Sequence, residues 1–378
     1  MVEILNPRHG AIMCRHDGEE TEGALTITVT GCADPFAPVT VNGIEAERCG
    51  AEFSAPVRLT RKINEITAQV KTVRGIEAQT IKVVWDKKSF KRYRFFIDDH
   101  SFFLQDLATH SYGSIFECFY LDWMRTLHER YGAKIVLNCF FRNDHDKDGF
   151  EITAVPDKHK GEWRDNAEWL NLSFHAFSEF PDRPYNYPCP AKLAEDYDRV
   201  KEQIVRFAGE ETFCPPIVTH WAVCHPANFG VLKERGAKVL CGQFINAFVG
   251  KGYRPLSPFG VSDVGYHLDE ERSAYLWERR VIHDMDYDIT FMKGTVCCNR
   301  NPVGELLQQM EEKYASPHAI DILGIASHEQ YSFPFYRNYL PDHFERMDSV
   351  CRSATEHGYK PVWFHEGFLG NPTLAPES

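Results

Sequence analysis

The stretch YRFFIDD, residues 93–99, divides this chain in two. It is a short apolar run, the length of one buried strand, and it stops on two adjacent carboxylates, Asp98 and Asp99. The residues on its N-terminal side and those on its C-terminal side obey different periodicities.

Upstream, residues 1–88 read as short strands with turn punctuation. GALTITVTG (23–31) alternates apolar and polar positions, and Asn42-Gly43 marks a turn inside VTVNGIEAE (39–47). FSAPVRL (53–59), NEITAQVKTV (64–73) and AQTIKVVWD (78–86) come next at regular spacing. Period-2 runs separated by Gly, Asn and Pro predict a small all-β sandwich. The charged stretch DKKSFKR (86–92) reads as a linker.

Downstream, residues 92–378 alternate strand-like and helical runs. The amphipathic stretch SIFECFYLDWMRTLHERYG (114–132) predicts a helix closed by Gly132. Strands are expected at KIVLNCFF (134–141), WLNLSFHA (169–176), PPIVTHW (215–221), KVLCGQF (238–244), IDILGIASH (320–328) and KPVWFH (360–365). YLWERRVIHD (275–284) and YDITFMKGTV (287–296) look like an antiparallel pair. Helical patterns fill the gaps, the longest being AKLAEDYDRVKEQIVRFAG (191–209). Such alternation implies an α/β fold with a parallel sheet, open or closed into a barrel. Residues 142–163 form a long excursion of the kind that covers sites. Its cluster Asp144, His145, Asp146 and Asp148 lacks calcium-loop spacing and reads as a solvated loop.

Composition narrows the function. The chain has 378 residues, 43% hydrophobic and 25% charged, with a net charge of −12. An acidic surface repels phosphate backbones and anionic lipid, so nucleic acid and membrane surfaces are excluded as expected partners. None of the 12 cysteines sits in a CxxC pair, the N-terminus lacks a signal-peptide pattern, and no apolar run reaches membrane-spanning length. These features predict a cytoplasmic protein with free thiols.

Barrel chemistry gathers at the C-terminal ends of strands. Those ends carry Asp98, Asp99 and His100, then His175 with Glu179 four residues on, then His220, then His328 with Glu329, and last His365 with Glu366. Each position alone reads as a cap or a hydrogen-bonded core residue. Their recurrence at one end instead suggests a site for Zn²⁺, Fe²⁺ or a similar divalent ion.

The ordered set FFIDDH (95–100), LSFHAFSEF (172–180), FCPPIVTHW (213–221), ILGIASHEQY (322–331) and HGYKPVWF (357–364) resembles the motifs of the NodB-like polysaccharide deacetylase family. The resemblance spans about 92–370, and the N-terminal part resembles Ig-like modules that accompany carbohydrate-active domains. It implies a distorted (β/α) barrel performing metal-dependent amide hydrolysis on an N-acetylated sugar. Carried over position by position, it makes Asp98 the general base and His328 the general acid. Asp99 and His175 become metal ligands, with Zn the expected ion and Co, Ni or Fe as alternatives. The second histidine of the His-x-x-x-His motif is Glu179 here, which implies a His, Asp, Glu ligand set. The third-motif arginine is absent or replaced by Cys214. His220, Trp221 and Glu329 are left as substrate-binding candidates. The competing expectations are a non-catalytic carbohydrate-binding barrel and a NodB-like enzyme of other carbohydrate chemistry.

Overall fold

The computed structural model describes residues 1–73, 75–242, 268, 270–294, 296–316 and 321–374. Its first 85 residues form two five-stranded sheets. One contains β1 (Val2–Asn6), β3 (Gly18–Glu20), β4 (Leu25–Ala33), β7 (Glu47–Cys49) and β8 (Glu52–Leu59). The other contains β2 (Ile12–Met13), β5 (Val39–Val41), β6 (Ile44–Glu45), β9 (Ile63–Thr72) and β10 (Gly75–Trp85). Strict alternation decides which face is buried: Leu25, Ile27 and Val29 of β4 and Phe53, Ala55 and Val57 of β8 turn inward. No helix occurs among the described residues here.

The segment after β10 is clamped rather than loose. Arg92 is fully buried, and its guanidinium meets Asp86 at 2.7 Å, Ser89 at 3.2 Å and the Leu369 carbonyl at 2.6 Å. Asn371 donates to the other Asp86 oxygen at 2.7 Å. The N-terminal chain also reaches the α/β part directly. The His283 amide donates to the Gly10 carbonyl, and a Cβ at Gly10 would fall 2.3 Å from the His283 oxygen, so only glycine fits there.

The α/β part is built on a parallel six-stranded sheet in the order β13-β12-β11-β18-β17, with β19 also paired to β11. These are β11 (Arg92–His100), β12 (Ile135–Phe140), β13 (Leu170–Ala176), β17 (Val296–Cys297), β18 (Ile322–His328) and β19 (Lys360–Pro361). β14 (Val239–Gly242), β15 (Val281–Asp284) and β16 (Ile289–Lys293) form a separate three-stranded sheet. Around them run α1 (Phe102–Thr109), α2 (Phe119–Tyr131), α3 (Lys160–Asp165), α4 (Pro190–Ala208), α5 (Phe229–Glu234), α6 (Glu270–Arg279), α7 (Val303–Tyr314) and α8 (His343–Glu356). β11 to β13 are buried along their whole length, as strands of a parallel sheet covered on both faces are. Phe174 faces Tyr197 of α4 on one side of the sheet, while Phe96, Val136, Cys241, Met292 and Ile322 join the two sheets in a second apolar cluster.

One expectation is met in part, as an α/β fold, and two are corrected. A closed barrel is not seen: the described strands make a mixed α/β arrangement of two partly curled sheets. The segment 215–221 is not a strand. It makes isolated bonds, Cys214 to the Leu172 carbonyl and Cys241 to the Ile217 carbonyl, because Pro215 and Pro216 supply no amide hydrogens to a ladder. Tyr275–Arg279 lie in α6, leaving only Val281–Asp284 to pair antiparallel with β16. The strand expected at 238–244 is seen as β14, and its last two residues lie outside the described ones.

Candidate metal centre and catalytic site

Sheet register brings the first polar residues together. Asp98 of β11 pairs directly with His328 of β18, and the neighbouring pair Ile97–Leu137 sets Asp98 beside Asn138 of β12. Asn138 is opposite Ser173 of β13, two residues before His175. Residues in register on adjacent strands share a face, so one face collects a carboxylate, an amide and two imidazoles.

Two consecutive residues of a regular strand point to opposite faces. Asp98 and Asp99 escape that rule through a bulge. Between Ile97 and His100 the register against β12 shifts, and Asp99 has φ +68°, in the left-handed region. Asp is one of the few side chains that tolerate this region. The kink turns Asp99 to His175 and His220 while Asp98 keeps its contact with Asn138.

Asp99 Oδ1, His175 Nε2 and His220 Nδ1 form a nearly equilateral triangle. Asp99 is 3.1 Å from His175 and 3.3 Å from His220, and the two imidazole nitrogens are 3.2 Å apart. All three residues are buried. His220 Nε2 lies 2.9 Å from the Glu179 carbonyl, which can only accept, so Nε2 donates and Nδ1 presents a lone pair to the triangle. That lone pair faces a carboxylate oxygen with no hydrogen-bond partner of its own. Two acceptors in a dry site repel unless a cation or proton lies between them. Tetrahedral ligation with bonds of about 2.1 Å separates ligand atoms by roughly 3.4 Å. The triangle therefore fits a zinc-like divalent ion. Phe140 buttresses both imidazoles, its ring 5.2 Å from His175 and 5.0 Å from His220.

The two carboxylates differ sharply. Burial, reinforced by the Asp99 charge, pushes Asp98 well above the usual carboxylate range, against an opposing hydrogen bond from Asn138 Nδ2 at 2.7 Å. Burial also acts against ionisation of Asp99, but a proton shared from the facing imidazoles, His175 first, and the positive charge that His328 can carry hold Asp99 well below that range; a cation in the triangle would act in the same direction. Burial lowers His175 to about 4, which keeps it a neutral ligand. His328 is also lowered by burial, although Asp99 pulls it upward. Its Nδ1 donates to Asn299 Oδ1 at 2.9 Å, leaving Nε2 as the nitrogen free for proton transfer.

The remaining sequence-derived candidates sit differently. Glu179 turns its carboxylate away from the triangle and pairs with His145 of the excursion loop, while its backbone carbonyl orients His220. The third corner predicted for Glu179 is thus occupied by His220. Glu329 is fully buried and accepts from the amides of Ser101, Phe102 and Phe103 at 2.8, 2.8 and 2.6 Å, closing the N-terminus of α1. Burial pushes that carboxyl up to about 8 against the pull of those amides. Trp221 is 45% exposed, with its ring 6.2 Å from His220. Its φ of +66° is unusual for a bulky side chain, as strained residues beside sites often are. His365 and Glu366 leave the set: they line a cavity of about 610 Å³ with Lys134, Trp169 and Asn171, at the N-terminal ends of the strands. The tertiary structure adds Asn138 and Asn299. Asn138 has a signal, an amide inside the apolar run KIVLNCFF; Asn299 lies in a loop without one.

No family model and no curated protein matches this chain. Among solved structures it is similar to an engineered protein (23% identity, covering 22% of this chain and 20% of that one, TM-score 0.18). It is similar to a CE4 esterase from Streptococcus mutans (11% identity, 71% and 84% covered, TM-score 0.36). It is also similar to a polysaccharide deacetylase from Bacillus cereus (11% identity, 62% and 85% covered, TM-score 0.20). The chain spans about a fifth of the engineered protein. At these TM-scores none of the three likenesses carries the functional reading, which rests on the residues of the site.

Proposed function

We propose that this chain is a metal-dependent hydrolase that cleaves the amide of an N-acylated sugar, in the manner of the deacetylases its motifs resemble. The observation that supports this best is the buried Asp99–His175–His220 triangle flanked by one carboxylate and one imidazole on adjacent, in-register strands.

Asp99, His175 and His220 would hold the ion. When bound, it supplies Lewis acidity toward water and the acyl oxygen. Asp98 then accepts the proton of the attacking water. Its elevated affinity suits a base, because a carboxylate of ordinary acidity is a weak proton acceptor. His328, held at Nδ1 by Asn299, would act in its imidazolium form: it takes a proton at Nε2 and gives that proton to the departing amine, while Asp98 holds the proton removed from the water. Asn138 holds Asp98 in place through Oδ1, which leaves the other carboxylate oxygen for the proton. Trp221 offers an exposed aromatic face for a sugar ring.

The test is acetate release from N-acetylated chito-oligosaccharides. Activity should vanish with a chelator and return with Zn²⁺ or Co²⁺. Asp98→Asn and His328→Ala should each lower kcat by about 10²–10⁴ while leaving metal content intact. A metal-loaded protein that binds the oligosaccharide without releasing acetate would establish the binding-module reading instead.

A further inference from the structure

Three arginines next to residues of the site make no ion pair among the described residues. Arg183 lays its guanidinium over the Trp221 ring, 4.5 Å from the centroid, and its Nε is buried without a hydrogen-bond partner. Arg300 closes the turn begun at Cys297, donating its amide to the Cys297 carbonyl at 3.1 Å, one residue beyond Asn299. It is exposed, and its charge helps lower His328. Arg337 is exposed and comes directly after Tyr336, whose ring is 5.7 Å from His145 and 5.5 Å from Tyr331; Tyr331 in turn is 6.2 Å from His328.

Some arginines elsewhere on the surface are tied to acids, Arg130 to Asp348, Arg199 to Glu195 and Arg235 to Asp198, and others, such as Arg58, Arg61 and Arg352, are exposed without an ion pair among the described residues. Among the described residues no ion pair engages Arg183, Arg300 or Arg337. Of the nearby acids, Asp144 pairs with Arg142 and Glu179 with His145, while Asp182, next to Arg183 in sequence, is exposed. In a chain with a net charge of −12, three guanidinium groups next to the candidate site are thus left without an ion pair among the described residues. Guanidinium groups placed beside a site favour ligands of opposite charge. Arginine, weakly hydrated and fork-shaped, is the side chain best suited to carboxylate, sulfate or phosphate oxygens. With Arg183 stacked on Trp221, one such group can be bound beside the aromatic face that receives a sugar ring.

On the basis of the hydrolase reading, we infer that the substrate is an anionic N-acylated saccharide, bearing a carboxylate or an acid ester, and that Arg183, Arg300 and Arg337 select it. Arg183 adjoins the site through Trp221, Arg300 through Asn299 and His328, and Arg337 through Tyr336 and Tyr331. The three arginines define specificity and take no part in proton transfer.

The experiment measures both binding and turnover for three oligosaccharides of one length: neutral N-acetylated, carboxylated and sulfated. With Zn²⁺-loaded protein at low ionic strength, at least one anionic ligand should bind about tenfold or more tighter than the neutral one. The preference should shrink as NaCl is raised. Arg183→Gln and Arg337→Gln should each reduce the ratio of anionic to neutral affinity, and the carboxylated and sulfated arms identify the group. Neutral ligand binding as tightly as both anionic ones, or a preference unchanged in both variants, overturns the inference. Arginine-dependent anion binding without acyl release keeps it and defeats the hydrolase reading, so the two failures are distinguishable.

Discussion

Replacing His220 with alanine should remove most of the metal affinity, and replacing Glu179 with glutamine should remove little. The sequence spacing assigns the third ligand to Glu179; the geometry assigns it to His220, whose Nδ1 is 3.2 Å from His175 Nε2 and 3.3 Å from Asp99 Oδ1. Free Zn²⁺ at about 100 times its Kd stabilises the fold by about 2.7 kcal/mol. Disturbing an outer-shell partner alone costs 10–100-fold in affinity as a rough guide, so a lost ligand should cost at least about 100-fold. At the same zinc concentration the stabilisation then falls to about RT ln 2, roughly 0.4 kcal/mol. An unfolding entropy of about 2.1 cal/mol/K per residue over this chain gives roughly 0.8 kcal/mol/K. Zinc should therefore raise Tm by about 3 °C in the wild type and about 0.5 °C in His220→Ala. Glu179→Gln should keep nearly the whole shift, because Glu179 meets His220 through its backbone carbonyl. Thermal unfolding with and without zinc, paired with calorimetric titration, reads both quantities. Equal losses in the two variants, or a larger loss in Glu179→Gln, would refute the assignment.

Arg92→Met should destabilise the chain by about 3–5 kcal/mol, since it strands the buried Asp86 carboxylate; urea unfolding measures this. Asn299→Ala should lower kcat by about an order of magnitude with KM and zinc content unchanged, because the His328 ring loses the partner that fixes it. His343 gives a pH prediction. Burial lowers it to about 3, with Ser327 and Ser332 hydroxyls on its two nitrogens at 2.7 Å each. Between pH 6.5 and 3 the unfolded chain binds a proton there that the folded chain refuses, so stability falls as pH drops, by about 1.4 kcal/mol per unit for that proton. His343→Gln should flatten this limb by that amount, and denaturation midpoints measured from about pH 7 to 4 would contradict the account if both proteins lost stability in parallel.

The sequence by itself determined the elements whose periodicity is local. Alternation in residues 25–33 and 52–59 sufficed to bury one face of β4 and β8, and YRFFIDD read as a strand ending in two carboxylates, as β11 is. It also marked Asp98, Asp99, His175 and His328, because a charged or titratable group closing an apolar run has to be stabilised by something outside the run. Tertiary structure decided which of these groups meet. His175 and Glu179 are four residues apart, yet only His175 reaches Asp99; the partner that completes the triangle comes from His220, 45 residues further on, in a loop the sequence presented as a strand. The left-handed turn at Asp99, the register of Asp98 against His328 and the removal of His365 to the other end of the sheet are equally invisible in a linear reading. Spacing along a chain fixes neighbours only within one helix turn or one strand pleat. Contacts between elements are set by packing and register, and metal-ligand geometry depends on them to within tenths of an ångström.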